Sequence, residues 1–173
     1  MLVNTTVSNV SPALTYVPGA LWKENTTSED VDGQAKVYTY HHTNASEGEG
    51  RVHFTWFGSG SVWIFGGYRP VLGQYSVRLD GRDALKSPGY KTNDTVVDDA
   101  VLFTQSGLAP DVHRLELINT SKDQLRPILG FHRIVVQNDT PNTTDIDTKD
   151  SRCQWGPTRT GAKVWMNNGG ISL

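Results

Sequence analysis

The sequence over residues 51–66 reads RVHFTWFGSGSVWIFG, and it determines the class of fold that we expect. Apolar side chains alternate with polar ones over 52–56, which is the period of a strand with one buried face. Residues 61–65 are apolar at nearly every position, as in a strand that is covered on both faces. Glycines supply the positive φ angles of tight turns, so we expect two antiparallel strands joined by a hairpin at 58–60.

Short alternating segments of the same kind lie on both sides of this stretch. Gly, Asn, Asp and Pro separate them at intervals of about ten residues, and none carries the apolar stripe of a helix. This spacing predicts an antiparallel sandwich or barrel and argues against a parallel sheet with crossover helices. The further predicted strands are 36–42, 74–80, 101–104, 113–118 and 128–136, with a turn at 80–83. The predicted core includes Phe54, Tyr75, Leu117 and Ile134.

The composition limits the possible partners. The chain has 173 residues, a net charge of −2 and a single cysteine, Cys153. Nucleic-acid-binding proteins usually carry a basic face, so we expect no nucleic-acid partner. One cysteine allows no internal disulfide, and no apolar run approaches the about 20 residues of a membrane-spanning helix.

The ends of the chain differ from its middle. The first ten residues lack the basic and apolar regions of a signal peptide, and the alternation stops beyond residue 137. We therefore expect an N-terminal extension at 1–10, one sandwich domain at 11–137 and a poorly structured tail or linker at 138–173.

Asparagine triplets point to a cell compartment. Eight of the ten asparagines begin an Asn-x-Ser/Thr triplet without proline in the middle, whereas chance would produce roughly two. The excess predicts N-glycosylation and an extracellular or cell-surface location. The alternative is a composition rich in turn-forming residues. The predicted sites are Asn4, Asn9, Asn25, Asn44, Asn93, Asn119, Asn138 and Asn142.

Several motifs resemble those of one group of fungal proteins. The run over 52–66, GQYSVRLDG over 73–81, HRLELIN over 113–119 and FHRIVV over 131–136 are similar to cell-surface proteins of basidiomycete-type fungi. The resemblance implies an ectodomain with a galactose-binding-like jelly-roll β-sandwich. A linker and one membrane helix usually follow in that group, so the resemblance implies a membrane anchor in full-length relatives. Members of one fold differ in function, so the resemblance bears on fold more than on function.

Loop residues supply the candidates for a ligand site. Sugar sites combine an aromatic ring with a few polar groups that bind the sugar hydroxyls. Packing of the loops over the end of the sandwich is the alternative for each aromatic residue. The predicted ligand-binding residues are Trp22, Tyr68, Arg69, Tyr90 and Lys91.

Metal ligands are scarce in the sequence. His41 and His42 are adjacent on a predicted strand and point to opposite faces, so they cannot readily share a metal ion. We expect no cofactor, and only a structural calcium ion stays open as a possibility, with solvated acidic loops as the alternative. The acidic segments that offer oxygen ligands are the Asp98-Asp99 pair and the cluster of Glu29, Asp30 and Asp32.

Catalytic motifs are absent from the sequence. It contains no Gly-x-Ser-x-Gly, no phosphate-binding loop and no His-Glu-x-x-His. We therefore expect no enzymatic activity and no catalytic residues, and we predict an extracellular domain that binds or senses a carbohydrate such as a cell-wall glycan. One alternative is a structural or adhesive glycoprotein ectodomain without a sugar site of its own. Another is an accessory fragment of a glycoside hydrolase.

Overall fold

The computed structural model describes residues 2–31, 34–90, 96–139, 153–157 and 163–167. Within these ranges the chain is almost entirely strand, with one 3-10 helix at Gly19–Leu21. No helix in the described part is long and apolar enough to span a membrane. The strands are β1 (Leu2–Ser8), β2 (Leu14–Val17), β3 (Trp22–Val31), β4 (Gln34–Asn44), β5 (Arg51–Tyr68), β6 (Tyr75–Leu79), β7 (Arg82–Ser87), β8 (Val97–Asn119), β9 (Ile128–Asp139), β10 (Cys153–Pro157) and β11 (Lys163–Asn167).

Strands β1 to β9 form one antiparallel sheet that folds on itself into two layers. One layer contains β2, the first half of β5, the second half of β8, β6 and β7. The other contains the first half of β8, the second half of β5, and β9. Strands β4 and β1 follow one another along the far edge of β9, and β3 lies outside β4. The architecture is the jelly-roll β-sandwich that the alternation predicts.

The hydrophobic core lies between the two layers. Phe54, Tyr75, Leu117 and Ile134 are each at most 5% exposed, which confirms the predicted core. Burial of a large apolar side chain contributes about 1.5–3 kcal/mol. Because the chain has a single cysteine, the stability of the domain depends on this core.

The glycines at 58–60 do not form the predicted hairpin. Strand β5 runs through them, and its register against β8 shifts on either side of Gly60. Gly60 has a φ of 97°, and a Cβ atom there would lie 2.6 Å from the Gln137 carbonyl oxygen of β9. The glycines therefore allow β5 to bend from one layer into the other while passing close to β9.

The ends of the chain also differ from the expectation. Strand β1 pairs with β9 along its whole length, so the first residues belong to the sandwich, and the compact unit is Leu2–Asp139. Strand β9 reaches Asp139, and β10 and β11 form a separate antiparallel pair in which Trp155 lies opposite Trp165. The rest of the expected tail lies outside the described residues.

Candidate functional site

A groove of about 290 Å³ lies on the outer face of the layer that contains β4 and β9. Leu129 and Phe131 of β9 point into the core. The residues that alternate with them point outward, because successive side chains of a strand face opposite sides. The walls of this β4–β9 groove include Asn25, Tyr40, His42, Arg69, Ile128 and His132.

Three rings that line the groove form a cluster. The ring of Tyr40 lies 5.9 Å from that of His42 and 5.8 Å from that of His132, measured between centroids. Strand pairing produces this cluster, because His41 lies opposite Phe131 in the register of β4 and β9. The neighbours of that pair, Tyr40 and His132, therefore share the outer face.

An apolar wall borders the ring cluster. The loop after β5 carries Leu72, whose backbone forms an isolated β-bridge with that of Ile128 at the start of β9. The Gly73 N–H donates to the Ile128 carbonyl oxygen at 2.7 Å and holds this loop against the strand. The groove thus combines an apolar side with polar ring nitrogens.

The two groove histidines are neutral at pH 7. Burial lowers the pKa of His42, and the nearby Lys23 ammonium lowers it further. Burial likewise lowers the pKa of His132, against the opposing effect of Asp99 and Asp98. The Nδ1 atom of each ring is buried without a hydrogen-bond partner. A neutral imidazole has one N–H donor and one bare nitrogen acceptor, and its tautomer decides which nitrogen plays which role.

The acidic pair considered for calcium is engaged by arginines. The Asp98 carboxylate accepts a hydrogen bond from Arg69 at the groove rim, and Asp99 accepts from Arg133, with one contact at 2.8 Å. The two carboxylates are thus paired with two different arginine side chains. Within the described ranges, no three His, Cys, Asp or Glu side chains are grouped so as to hold a metal ion. Asp32 and the side chains of Glu29 and Asp30 lie outside the described residues.

Trp22 belongs to the core. It is the first residue of β3, is 8% exposed and packs against Tyr16 with a centroid distance of 5.0 Å. This burial leaves little of the indole for a ligand, so the packing alternative applies to Trp22, and its predicted place in a ligand-binding loop is corrected.

The other predicted ligand-binding residues are scattered. The Tyr68 hydroxyl lies 3.4 Å from the Tyr75 hydroxyl, at the end of β5. Tyr90 packs under the Arg126 guanidinium, 4.0 Å from the ring centroid, in a separate depression. Lys91 lies outside the described residues. Of the four predicted residues that the structure describes, Arg69 alone lines the β4–β9 groove.

The fold separates the predicted glycosylation sites by accessibility. Asn9 and Asn119 are 1% exposed. The side chain of Asn9 binds those of Thr39 and His41, and the Asn119 amide nitrogen donates to the carbonyl oxygens of Thr43 and Pro127. A glycan at either position would break these contacts, so the prediction for these two sites is corrected.

The remaining predicted sites are more open or lie outside the described residues. Asn4 and Asn25 are exposed, and Asn44 is half-buried. Asn138 is also half-buried, because its side chain packs against Gly58. Asn93 and Asn142 lie outside the described residues.

Comparisons with known proteins bear on the fold. No protein-family model matches the chain, and no curated protein matches its sequence. A two-domain esterase active on acetylated mannans, crystallised with mannopentaose, is similar in structure with a TM-score of 0.52 and 10% identity. The match covers 80% of this chain and 37% of that chain. At this identity the likeness shows the fold.

Two further structures resemble the chain less closely. A family two carbohydrate esterase from Cellvibrio japonicus has a TM-score of 0.47 and 10% identity, over 80% of this chain and 35% of that chain. A carbohydrate-binding module in complex with calcium and xylotriose has a TM-score of 0.41 and 13% identity, over 78% and 99%. The chain spans little more than a third of either esterase. The alternating strands and the two-layer topology identify the chain as a jelly-roll β-sandwich, and the likeness to the mannan-active esterase agrees with this fold.

Proposed function

We propose that this domain binds carbohydrate without catalysis and that the β4–β9 groove is its ligand site. The observation that carries the proposal is the placement of Tyr40 between two neutral histidines beside an apolar wall. An aromatic ring covers the apolar face of a sugar, and nearby donors and acceptors orient its hydroxyls. Arg69 at the rim adds N–H donors to this set.

A non-catalytic role agrees with the chemistry of the groove. Its polar side chains include no carboxylate among the described residues that line it, whereas glycoside hydrolysis ordinarily uses a pair of carboxyl groups. Exposed asparagines that begin such triplets, Asn25 among them, support a glycosylated protein outside the cell. A fungal origin and a membrane anchor stay predictions that rest on the sequence resemblance.

One observation favours a second candidate, a structural or adhesive glycoprotein domain without a sugar site of its own. The predicted aromatic residues do not form a common surface, since Trp22 is buried and Tyr90 lies against Arg126. In this candidate, the exposed asparagines carry the sugars that form the functional surface.

A glycan array with the unglycosylated chain separates the two candidates. The array contains glucan, chitin, mannan and galactoside oligosaccharides. Mannans are included because the esterase of similar fold was crystallised with mannopentaose. Tyr40→Ala should weaken binding about tenfold or more, which corresponds to about 1.4 kcal/mol of lost stacking.

The matched control is Phe57→Ala, because Phe57 is an aromatic residue of β5 that is 71% exposed and is not part of the groove lining. Binding should survive this change. Absence of binding to every glycan would favour the structural candidate. Binding that Tyr40→Ala leaves intact but Tyr90→Ala abolishes would move the site to the depression beside Arg126.

A further inference from the structure

We propose that an N-linked glycan on Asn25 lies in the β4–β9 groove and competes with external ligands for it. This inference rests on the proposed function and adds a way in which ligand binding is regulated. Asn25 begins the triplet Asn25-Thr26-Thr27 on β3 and lines the groove. The attached sugar would therefore be covalently held at the site where a free sugar binds.

The Asn25 side chain presents the atom that glycosylation requires. Its Oδ1 accepts a hydrogen bond from the Thr26 N–H at 2.8 Å, and within the described part of the chain its Nδ2 has no hydrogen-bond partner. The buried Asn119 shows the opposite arrangement, because its Nδ2 donates to the Pro127 carbonyl oxygen at 2.9 Å. Asn25 is thus accessible, whereas Asn119 is enclosed.

The register of β3 and β4 determines what the first sugar meets. Asn25 lies directly opposite Tyr40, and directly opposed residues have Cβ atoms about 4.5–5.5 Å apart on the same face of the sheet. A sugar linked to Asn25 Nδ2 begins beside the Tyr40 ring, and aromatic rings pack well against the apolar faces of sugars. From Tyr40, the chain of sugars meets His42 and His132.

The covalent step is an ordinary glycosyl transfer. The new bond joins Asn25 Nδ2 to the anomeric carbon of an oligosaccharide donated by a lipid-linked pyrophosphate. The bond from that carbon to the pyrophosphate oxygen breaks, and the amide releases one proton. The product keeps its Cβ position opposite Tyr40 and adds a bulky polar group there.

The test uses the full chain secreted from a eukaryotic host, with occupancy of Asn25 measured by glycopeptide mass spectrometry. Diethyl pyrocarbonate then probes the access to His42 and His132, and His53, which is not part of the groove lining, serves as the internal reference. In the glycosylated chain, both groove histidines should react at least threefold more slowly than in Thr27→Ala. Thr27→Ser retains the triplet and should retain the protection.

A second control is Thr6→Ala, which removes the triplet of the exposed Asn4 and should leave the reactivity of His42 and His132 unchanged. The array glycans should bind Thr27→Ala at least tenfold more tightly than the glycosylated chain. An unoccupied Asn25, or equal histidine reactivity in the occupied chain and Thr27→Ala, would overturn the inference. Protection without binding of any array glycan would support the Asn25 glycan in the groove and count against the proposed function.

Discussion

His113 connects strand β8 to the turn between β6 and β7. It is 5% exposed. Its Nδ1 lies 2.9 Å from an Asp80 carboxylate oxygen, and its Nε2 lies 2.9 Å from the Ala109 carbonyl oxygen. Both partners are acceptors, so the ring satisfies both contacts only when both nitrogens carry protons. Burial lowers the pKa of His113, but the hydrogen bonds to Asp80 and Ala109 outweigh this effect, and the net result is a raised pKa.

This raised pKa predicts a stability contribution that decreases as the pH rises. The contribution of His113 is complete below its ordinary pKa near 6.5 and is lost as the pH passes its higher folded-state value. His113→Gln should lower the free energy of unfolding by about 1.5–3 kcal/mol at pH 5.5 and by less at pH 8.5. Urea unfolding of the parent chain and the variant at the two pH values measures this difference. The other histidines are the same in both chains, so their titration cancels in the comparison.

The half-exposed His53 provides the comparison for His113. Its Nδ1 is 3.7 Å from a Glu116 carboxylate oxygen, and exposed pairs of this kind contribute about 0–1 kcal/mol. His53→Gln should therefore have a small effect at both pH values. A loss in His113→Gln that is equal at both pH values, or larger at pH 8.5, would contradict a charged His113 in the fold.

At the scale of elements, local patterns predicted β4, β6 and β9 and parts of β5 and β8, but not β1, β2, β3 or β7. The alternation over 52–56 correctly placed Val52 and Phe54 in the core. The partly buried Trp56 stacks on Phe54 and packs against the core. The predicted turn at 80–83 is confirmed, because Asp80 and Gly81 both have positive φ angles and connect Leu79 to Arg82. These features depend on neighbouring residues, so the sequence contains enough information to predict them.

The continuity of β5 could not be predicted in the same way. A glycine with positive φ serves a hairpin turn and a bulge equally well. The choice at Gly60 depends on β9, whose Gln137 carbonyl oxygen occupies the space beside it. Strand β8 bends in the corresponding region, since Gly60 pairs with Leu108, next to Gly107 with a φ of 72°.

The two glycines at this bend predict different costs of substitution. Gly60→Ala combines a positive φ with a Cβ that would lie 2.6 Å from the backbone carbonyl oxygen of Gln137. We therefore expect the free energy of unfolding to fall by about 3 kcal/mol or more. Gly107→Ala carries the positive φ alone, because nothing lies within 4 Å of its Cβ, and should cost about 1–2 kcal/mol. Thermal and urea unfolding compare the two variants. Equal losses would show that β9 does not crowd Gly60.

At the scale of the whole molecule, the groove depends on strands that are distant in the sequence. The alternation predicted a strand containing Tyr40 and another containing His132, but their approach follows from the pairing of β4 with β9. Long-range pairing leaves no local signal, and loop aromatics such as Tyr90 therefore appeared better candidates. Arg69, which was singled out because it follows Gly66-Gly67 near the end of β5, lines the groove, and its role in ligand binding stays a prediction.

The chain divides into two compact units, which predicts that its first 139 residues fold and bind ligand without the residues that follow. The compact unit Leu2–Asp139 contains the described core from Val7 to Val136 and all of the described groove residues. A chain that ends after Asp139 should therefore unfold cooperatively, with a midpoint within about 2 °C of the full chain, as expected when less than about 0.5 kcal/mol is lost. Calorimetry and circular dichroism measure this midpoint. Its affinity for any array glycan should also match that of the full chain. A large fall in the midpoint, or lost binding in a folded truncated chain, would show that residues beyond 139 contribute to the domain.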